Sequence, residues 1–181
     1  MKKLVFATLM CVAAMSAKAQ VLTSATVNNV YEEVINKTNS NYAFNAERNG
    51  NDITKMYVYK KVNGSKGNET LKPHLKYEYT YSNDGTLESK VTYRWNENDN
   101  EWICASRHDY TLTFSSYRAE YSRFNHESNT FDKPVDRMVY SLIPGDSVNY
   151  VSCYHREHPS SLFELISEAS VTGLPMFFAQ K

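Results

Sequence analysis

The stretch Tyr77-Glu78-Tyr79-Thr80-Tyr81-Ser82-Asn83-Asp84-Gly85 decides the fold. Three tyrosines alternate with polar residues, the period of two that sorts side chains onto opposite faces of a strand. Asp84-Gly85 then supplies a turn, because glycine takes the positive φ that other residues avoid. Beyond it Val91, Tyr93 and Trp95 alternate with Thr92 and Arg94. The segment therefore reads as an antiparallel hairpin with an aromatic face.

The same logic extends in both directions. Asn49-Gly50 turns residues 42–48 into residues 53–60. Tyr110, Leu112 and Phe114 alternate with Thr111 and Thr113, and Pro144-Gly145-Asp146 separates residues 138–143 from residues 148–154. Residues 138–143 are apolar at successive positions, which predicts an interior strand. A pattern also recurs at an offset of 29: Arg94-Trp95-Asn96 with Trp102 seven residues after Trp95, then Arg123-Phe124-Asn125 with Phe131 seven residues after Phe124. Fourteen tyrosines against six glycines and five prolines suit strands, since tyrosine packs its ring and keeps its hydroxyl wet. The predicted fold is all-β, an antiparallel meander of about eight strands forming a curled sheet or open barrel, with short terminal helices.

The helical signals lie at the ends. Val27, Val30, Tyr31, Val34 and Ile35 fit helical spacing, although a strand is also compatible with them. Ser161 and Glu164 form a capping-box pattern ahead of Leu165, Ile166 and Ala169, with Gly173 and Pro175 as stop signals, which predicts a second helix. The apolar tail Met176-Phe177-Phe178 is expected to dock on the sheet.

Residues 1–19 read as a secretory signal peptide: Lys2 and Lys3, an apolar run from Leu4 to Met15, and Ala17-Lys18-Ala19 as a small-x-small cleavage signal before Gln20. A lipid anchor on Cys11 would want a small residue before it, and Met10 stands there. Cleavage between Ala19 and Gln20 would leave residues 20–181 as a single domain. The whole chain has 20 basic and 20 acidic residues, and loss of Lys2, Lys3 and Lys18 would make the remainder mildly acidic. That balance excludes a nucleic-acid partner held by bulk positive charge. No later apolar run reaches the roughly 18 residues of a spanning helix. The expected location is the periplasm or the cell exterior.

Residues 77–85, taken with Tyr93-Arg94-Trp95-Asn96 and Trp102, resemble a family of small secreted Bacteroidetes proteins of unknown function. The likeness runs over residues 53–154. It extends more distantly to the tyrosine–aspartate repeat class of extracellular β proteins, although Tyr81-Ser82 stands where that class has Tyr-Asp. The resemblance implies export and a β-meander. It carries over no catalytic residues.

Several side-chain groups suggest chemistry. Tyr93, Arg94, Trp95, Asn96 and Trp102 form a candidate sugar-binding set, because pyranose C–H faces stack on aromatic rings and polar neighbours fix the hydroxyls. Most of the aromatic rows, including Tyr77, Tyr79, Tyr81, Tyr110 and Phe114, read more simply as core, and Trp95 with Trp102 is the pair expected at the surface. Cys153, His155 and His158, with Glu157 between, have ligand types that suit zinc, against the simpler reading of a strand end running into a polar turn. Oxygen-rich Asn96 to Glu101 could take calcium but lacks an EF-hand frame, and reads more simply as a solvated hairpin loop. Asp146-Ser147-Val148 matches an O-glycosylation signal, with Ser147 as acceptor. Cys104 and Cys153 fall three strands apart in the meander, roughly 14 Å in a flat sheet, which favours thiols over a disulfide. No nucleophile-elbow, phosphate-loop, dinucleotide or zinc-protease motif occurs. The reading is a non-catalytic interaction module with no cofactor, acting on an envelope protein or a polysaccharide. The alternatives are a carbohydrate-binding module and a hydrolase with an unidentified carboxylate site.

Overall fold

The structure, a computed structural model, describes residues 21–37, 40–63, 68–141 and 149–171. One helix, α1 (Ser24–Ile35), precedes ten strands. These are β1 (Tyr42–Asn49), β2 (Asp52–Asn63), β3 (Glu69–Tyr81), β4 (Leu87–Asn96), β5 (Glu101–Leu112), β6 (Ser116–Asn125), β7 (Thr130–Phe131), β8 (Asp136–Ser141), β9 (Asn149–His155) and β10 (Glu164–Val171). They form one antiparallel sheet in the order β1-β2-β3-β4-β5-β6-β8-β9-β10, with the short β7 paired to β6. Chain order and spatial order coincide, so the meander is as predicted, and the sheet stays open. No helix among the described residues is long and apolar enough to cross a membrane.

The turns explain the pairing. Gly50 (φ +59°) closes β1 onto β2, and Gly85 (φ +80°) sits in the link from β3 to β4. In that link the Asp84 carboxylate accepts from the Ser82 hydroxyl and from the Thr86 N–H at 3.1 Å. The two stretches related by the offset of 29 form equivalent hairpins. Asn100 and Asn129 take φ +52° and +53° at the same position of each turn. Asn96 Oδ1 accepts from Asn98 N–H, and Asn125 Oδ1 from Glu127 N–H, both at 3.0 Å. At each hairpin mouth two aromatic rings pair across the strands edge to face: Trp95 with Trp102 at 5.0 Å, Phe124 with Phe131 at 5.1 Å.

One face of the sheet carries the core. Ile53, Met56, Tyr79, Tyr110, Tyr117, Tyr140 and Val151 are buried there beneath Leu22, Val27 and Leu87. Tyr110 and Tyr117 stack at 6.0 Å with planes 9° apart. The N-terminal segment is fastened to the β3–β4 link. Leu87 N–H donates to Leu22 O at 2.8 Å, and Ser24 N–H to Gly85 O at 3.0 Å. The helix follows at once, with Thr23 and Thr26 capping reciprocally (Thr26 N–H to Thr23 Oγ1, 3.3 Å; Thr23 N–H to Thr26 Oγ1, 3.2 Å). It turns Val27, Val30 and Val34 inward. Asn28 and Arg48 then tie it to the β1–β2 turn through Asn51 O, at 2.8 and 3.1 Å.

Three expectations need correction. The second helix does not form: residues 164–171 are strand β10, paired along β9 from Glu164↔His155 to Val171↔Asn149. A helix there would leave the outer edge of β9 without partners for its N–H and C=O groups, and that debt outweighs a local capping pattern. The described residues hold ten strands where about eight are expected, the additional ones being β10 and the two-residue β7. Phe114 leaves the sheet and is 91 % exposed, because Thr113 and Ser116 close a turn there (Thr113 N–H to Ser116 O, 2.8 Å; Ser116 N–H to Thr113 Oγ1, 3.0 Å). The strand expected at 138–143 is interior as far as Ser141, with β8 between β6 and β9, and residues 142 and 143 lie outside the described residues. The leader with its Ala19–Gln20 junction, the 144–146 turn with Ser147, and the tail at 176–178 lie outside the described residues.

The register shifts at several places, among them Thr54 in β2, Ala105 in β5 and Ile166 in β10, each an extra residue in its strand. Each shift adds local twist.

Leu22 is fully buried and belongs to the segment that covers the sheet. Leu22→Ala is expected to cost about 2–5 kcal/mol, whereas Leu162→Ala, at a side chain 88 % exposed, should leave the thermal midpoint nearly unchanged. Thermal and denaturant unfolding of the two variants measures this.

Candidate functional site

Strand alternation splits the aromatic residues between two faces. Tyr77, Tyr79 and Tyr110 lie with the core cluster, as Tyr81 does, whose hydroxyl donates to Ile53 O at 2.8 Å. Tyr93, Trp95 and Trp102 lie on the opposite, open face. The row Tyr57↔Lys76↔Tyr93↔Cys104 runs across β2 to β5, and the pair Trp95↔Trp102 sits beside it. Tyr57 joins the tryptophans directly, its ring 6.1 Å from that of Trp102. Tyr57, Trp95 and Trp102 thus make a half-exposed aromatic strip. Tyr93 borders it with its face occupied, since Lys76 Nζ lies 3.9 Å from its ring centroid and 6.0 Å from that of Trp102.

Charged groups frame the strip. Tyr57 donates its hydroxyl to Glu47 Oε1 at 2.7 Å, and Lys55 Nζ lies 2.9 Å from Glu47 Oε2. Tyr93 donates to Glu78 Oε2 at 2.9 Å, and Lys76 to Glu78 Oε1 at 2.8 Å. The Tyr57 hydrogen bond, followed by that of Lys55, holds the Glu47 carboxyl below its ordinary value. At Glu78 burial pushes upward, but the hydrogen bonds from Lys76 and Tyr93 and the lysine charges outweigh it, and the net shift is downward. Both carboxylates are held ionised, which suits hydrogen-bond acceptors and does not suit a general acid.

Of the predicted sugar-binding set, the structure brings Tyr93, Trp95 and Trp102 together and separates Arg94 and Asn96. Arg94 pairs with Leu75 and Ile103, so alternation puts it on the other face. Asn96 is spent on its turn, accepting from Asn98 and donating to Asp99 at 2.5 Å. Tyr57, Lys76, Glu47 and Glu78 were not singled out from sequence. They lie 15 or more residues from the tryptophans, and only the hairpin registers make them neighbours.

Cys153 and His155 share a face of β9, while His158 sits in the turn that follows, its carbonyl accepting from Ser161 N–H at 3.0 Å. His155 Nδ1 lies 2.6 Å from Asp136 Oδ1. No group of three or more His, Cys, Asp or Glu side chains among the described residues is placed to hold a metal ion. Cys104 on β5 and Cys153 on β9 are three strands apart in the sheet and are not joined by a disulfide.

A second constellation was invisible in the sequence. Tyr79, Lys90, His108, Tyr121, Asp136, His155 and Glu164 stand directly opposite one another across seven strands on the core face. Lys90 is buried, and its Nζ lies 5.5 Å from the centroid of the Tyr77 ring. Burial pushes its ammonium down to about 8. His108 stacks on Tyr110 (6.4 Å) and meets Tyr121 at a tilt of 57° (5.1 Å), and its Nδ1 is buried with no hydrogen-bond partner among the described residues. Burial, reinforced by the charge of Lys90, pushes the imidazole down to about 3. His108 is therefore neutral in the native state wherever the unfolded chain would protonate it.

The sign of the pH effect follows. Above about pH 6.5 both states carry neutral His108 and nothing changes. As pH falls from 6.5 towards 3, the unfolded state gains a proton that the folded state refuses, so stability drops by up to about 1.4 kcal/mol per pH unit from this group. His108→Phe is expected to remove that component, so its unfolding free energy should fall less steeply between pH 6 and 4 than that of the unaltered protein, measured by urea titration at each pH.

Comparison with known proteins agrees with this architecture. A crystal structure of a Bacteroides fragilis protein of unknown function superposes with a TM-score of 0.63 at 22 % identity, covering 74 % of this chain and 94 % of that one. Two DUF3836 family proteins also match. The one from Bacteroides vulgatus has a TM-score of 0.46 and 23 % identity, covering 51 % of this chain and 89 % of that one. The one from Parabacteroides distasonis has a TM-score of 0.48 and 20 % identity, covering 54 % and 87 %. No curated protein matches. The family model for DUF3836, a family of unknown function, matches residues 1–142, and the chain belongs to that family.

Proposed function

We propose that this protein is an exported, non-catalytic binding module that takes a polysaccharide on the open face of its sheet. The observation that carries the reading is the strip of Tyr57, Trp95 and Trp102, contiguous at 6.1 and 5.0 Å, on the face that the helix does not cover. An aromatic strip gives stacking surface to the C–H faces of successive sugar rings, and Glu47, Lys55, Lys76 and Glu78 offer acceptors and donors for hydroxyls beside it. The hydrolase alternative needs a carboxyl that stays protonated near neutrality, and the two carboxylates flanking the strip are both shifted the other way. Export is supported by the charged, apolar and small-x-small succession of residues 1–19.

Affinity electrophoresis against a panel of neutral soluble polysaccharides tests the binding role. At least one should retard the protein, and Trp102→Ala should weaken that binding about tenfold or more. Phe124→Ala, which alters the equivalent hairpin away from the strip, should leave it unchanged. Loss of binding in both variants, or in neither, would overturn the assignment. For export, N-terminal sequencing of the protein from the native cell envelope or medium should begin at Gln20, and an intact Met1 terminus would refute it.

A further inference from the structure

The open face continues past the aromatic strip onto β8 and β9, where its chemistry changes. Arg137 and Arg156 both lie against the Phe163 ring, with guanidinium carbons 3.9 and 4.6 Å from its centroid. Their separation cannot exceed the sum of those distances, so two cationic forks share one small area. Tyr154 and Ser161 join them in lining a shallow, open depression.

The charges there do not balance. Arg137 Nη2 and Nε approach Glu120 Oε1 at 2.6 and 2.8 Å, and Arg118 Nε lies 3.8 Å from Glu120 Oε2, so one carboxylate serves two arginines. Among the described residues Arg156 has no carboxylate partner, and its side chain donates Nε to Pro134 O at 2.7 Å. Of the acidic side chains on the neighbouring strands, Glu168 is engaged with Ser152, and Asp136 and Glu164 lie on the opposite, core face. Three guanidiniums thus answer to one carboxylate. The guanidinium fork of Arg156 is already oriented by the ring and the carbonyl, which lowers the entropy lost when it grips an anion.

We infer that the Arg137–Arg156–Phe163 depression is an anion subsite for the carboxylate groups of an acidic polysaccharide laid across the open face. A guanidinium recognises a carboxylate through paired N–H donors, the Tyr154 and Ser161 hydroxyls suit sugar hydroxyls, and the Phe163 ring holds both guanidiniums in place. The depression is too open to enclose a small free acid, which would need a deep pocket. It also lies on the sheet face rather than along a free strand edge, so it offers no backbone ladder for a peptide. The sugar backbone rests on the proposed function, whereas the anion rests on the arginines alone.

The test measures binding of the protein to polygalacturonate and to a neutral polysaccharide of similar length, each against Arg156→Gln, Arg156→Lys and Trp102→Ala. Polygalacturonate should bind more tightly than the neutral chain and weaken as salt rises. Arg156→Gln should reduce its affinity about tenfold, while neutral binding changes less than about twofold. Arg156→Lys, which keeps charge and stem but loses the fork, should fall between. Equal binding of polygalacturonate by Arg156→Gln and the unaltered protein, or no binding of polygalacturonate at all, would overturn the subsite. Acidic binding that depends on Arg156 but not on Trp102 would sustain the subsite and remove the aromatic strip. Neutral binding that depends on Trp102, without any gain from acid groups, would do the reverse.

Discussion

A sheet with one apolar face needs a cover, and here the cover is held by its own beginning. Leu22 O accepts from Leu87 N–H and Ser24 N–H donates to Gly85 O, so the chain is fixed to the β3–β4 link before the helix starts. Those bonds place Leu22 and Val27 over the core cluster that runs from Ile53 on β2 to Val151 on β9. The positive φ of Gly85 allows the link to present its carbonyl to Ser24. One short helix could not cover so wide a sheet with its own side chains. The tyrosines do part of the work, since Tyr110 and Tyr117 lie nearly parallel and fill area with rings rather than with a second layer.

Covering one face leaves the other free to act. Because alternation is strict within a strand, Tyr77 and Tyr79 go to the core while Lys76 and Glu78, between and beside them, go to the open face. The open face has two chemical zones. On β2 to β5 rings are contiguous and charges are paired, as in Lys55–Glu47 and Lys76–Glu78. On β6 to β9 arginines outnumber carboxylates around Phe163. The zones sit on one rigid surface, so a chain long enough to reach both would be read for its rings in one place and for its charge in another.

The hairpins were legible because each couples a period of two to a turn with its own chemistry. Asn49-Gly50 and Asp84-Gly85 mark their turns, and the pattern repeated at 29 residues marks two more. The C-terminal strand was not legible. Residues 161–169 carry a capping pattern and helical spacing, and only the unsatisfied edge of β9, a tertiary fact, makes Glu164–Val171 a strand. The aromatic site was half legible for a related reason. Trp95 and Trp102 are close in sequence and were paired correctly, but Arg94 is adjacent to Trp95 and faces away, whereas Tyr57 is remote and touches Trp102. The row from Lys90 to His155 could not be read at all, since every neighbour in it comes from a different strand.

The interrupted register of β10, at one end of the sheet, bears on how the protein meets copies of itself. An open sheet exposes backbone at both ends and invites copies of itself to add on, the route to fibrous aggregates. β10 carries an extra residue between Leu165 and Ser167, which takes Ile166 out of step beside Leu165 where both side chains are exposed, whereas at the β1–β2 shift the extra residue is Thr54 of the interior strand. A second copy arriving at β10 meets a bulged strand rather than a straight template. Such a bulge disfavours edge-to-edge addition at β10, the device by which an unclosed sheet is kept from becoming an adhesive one.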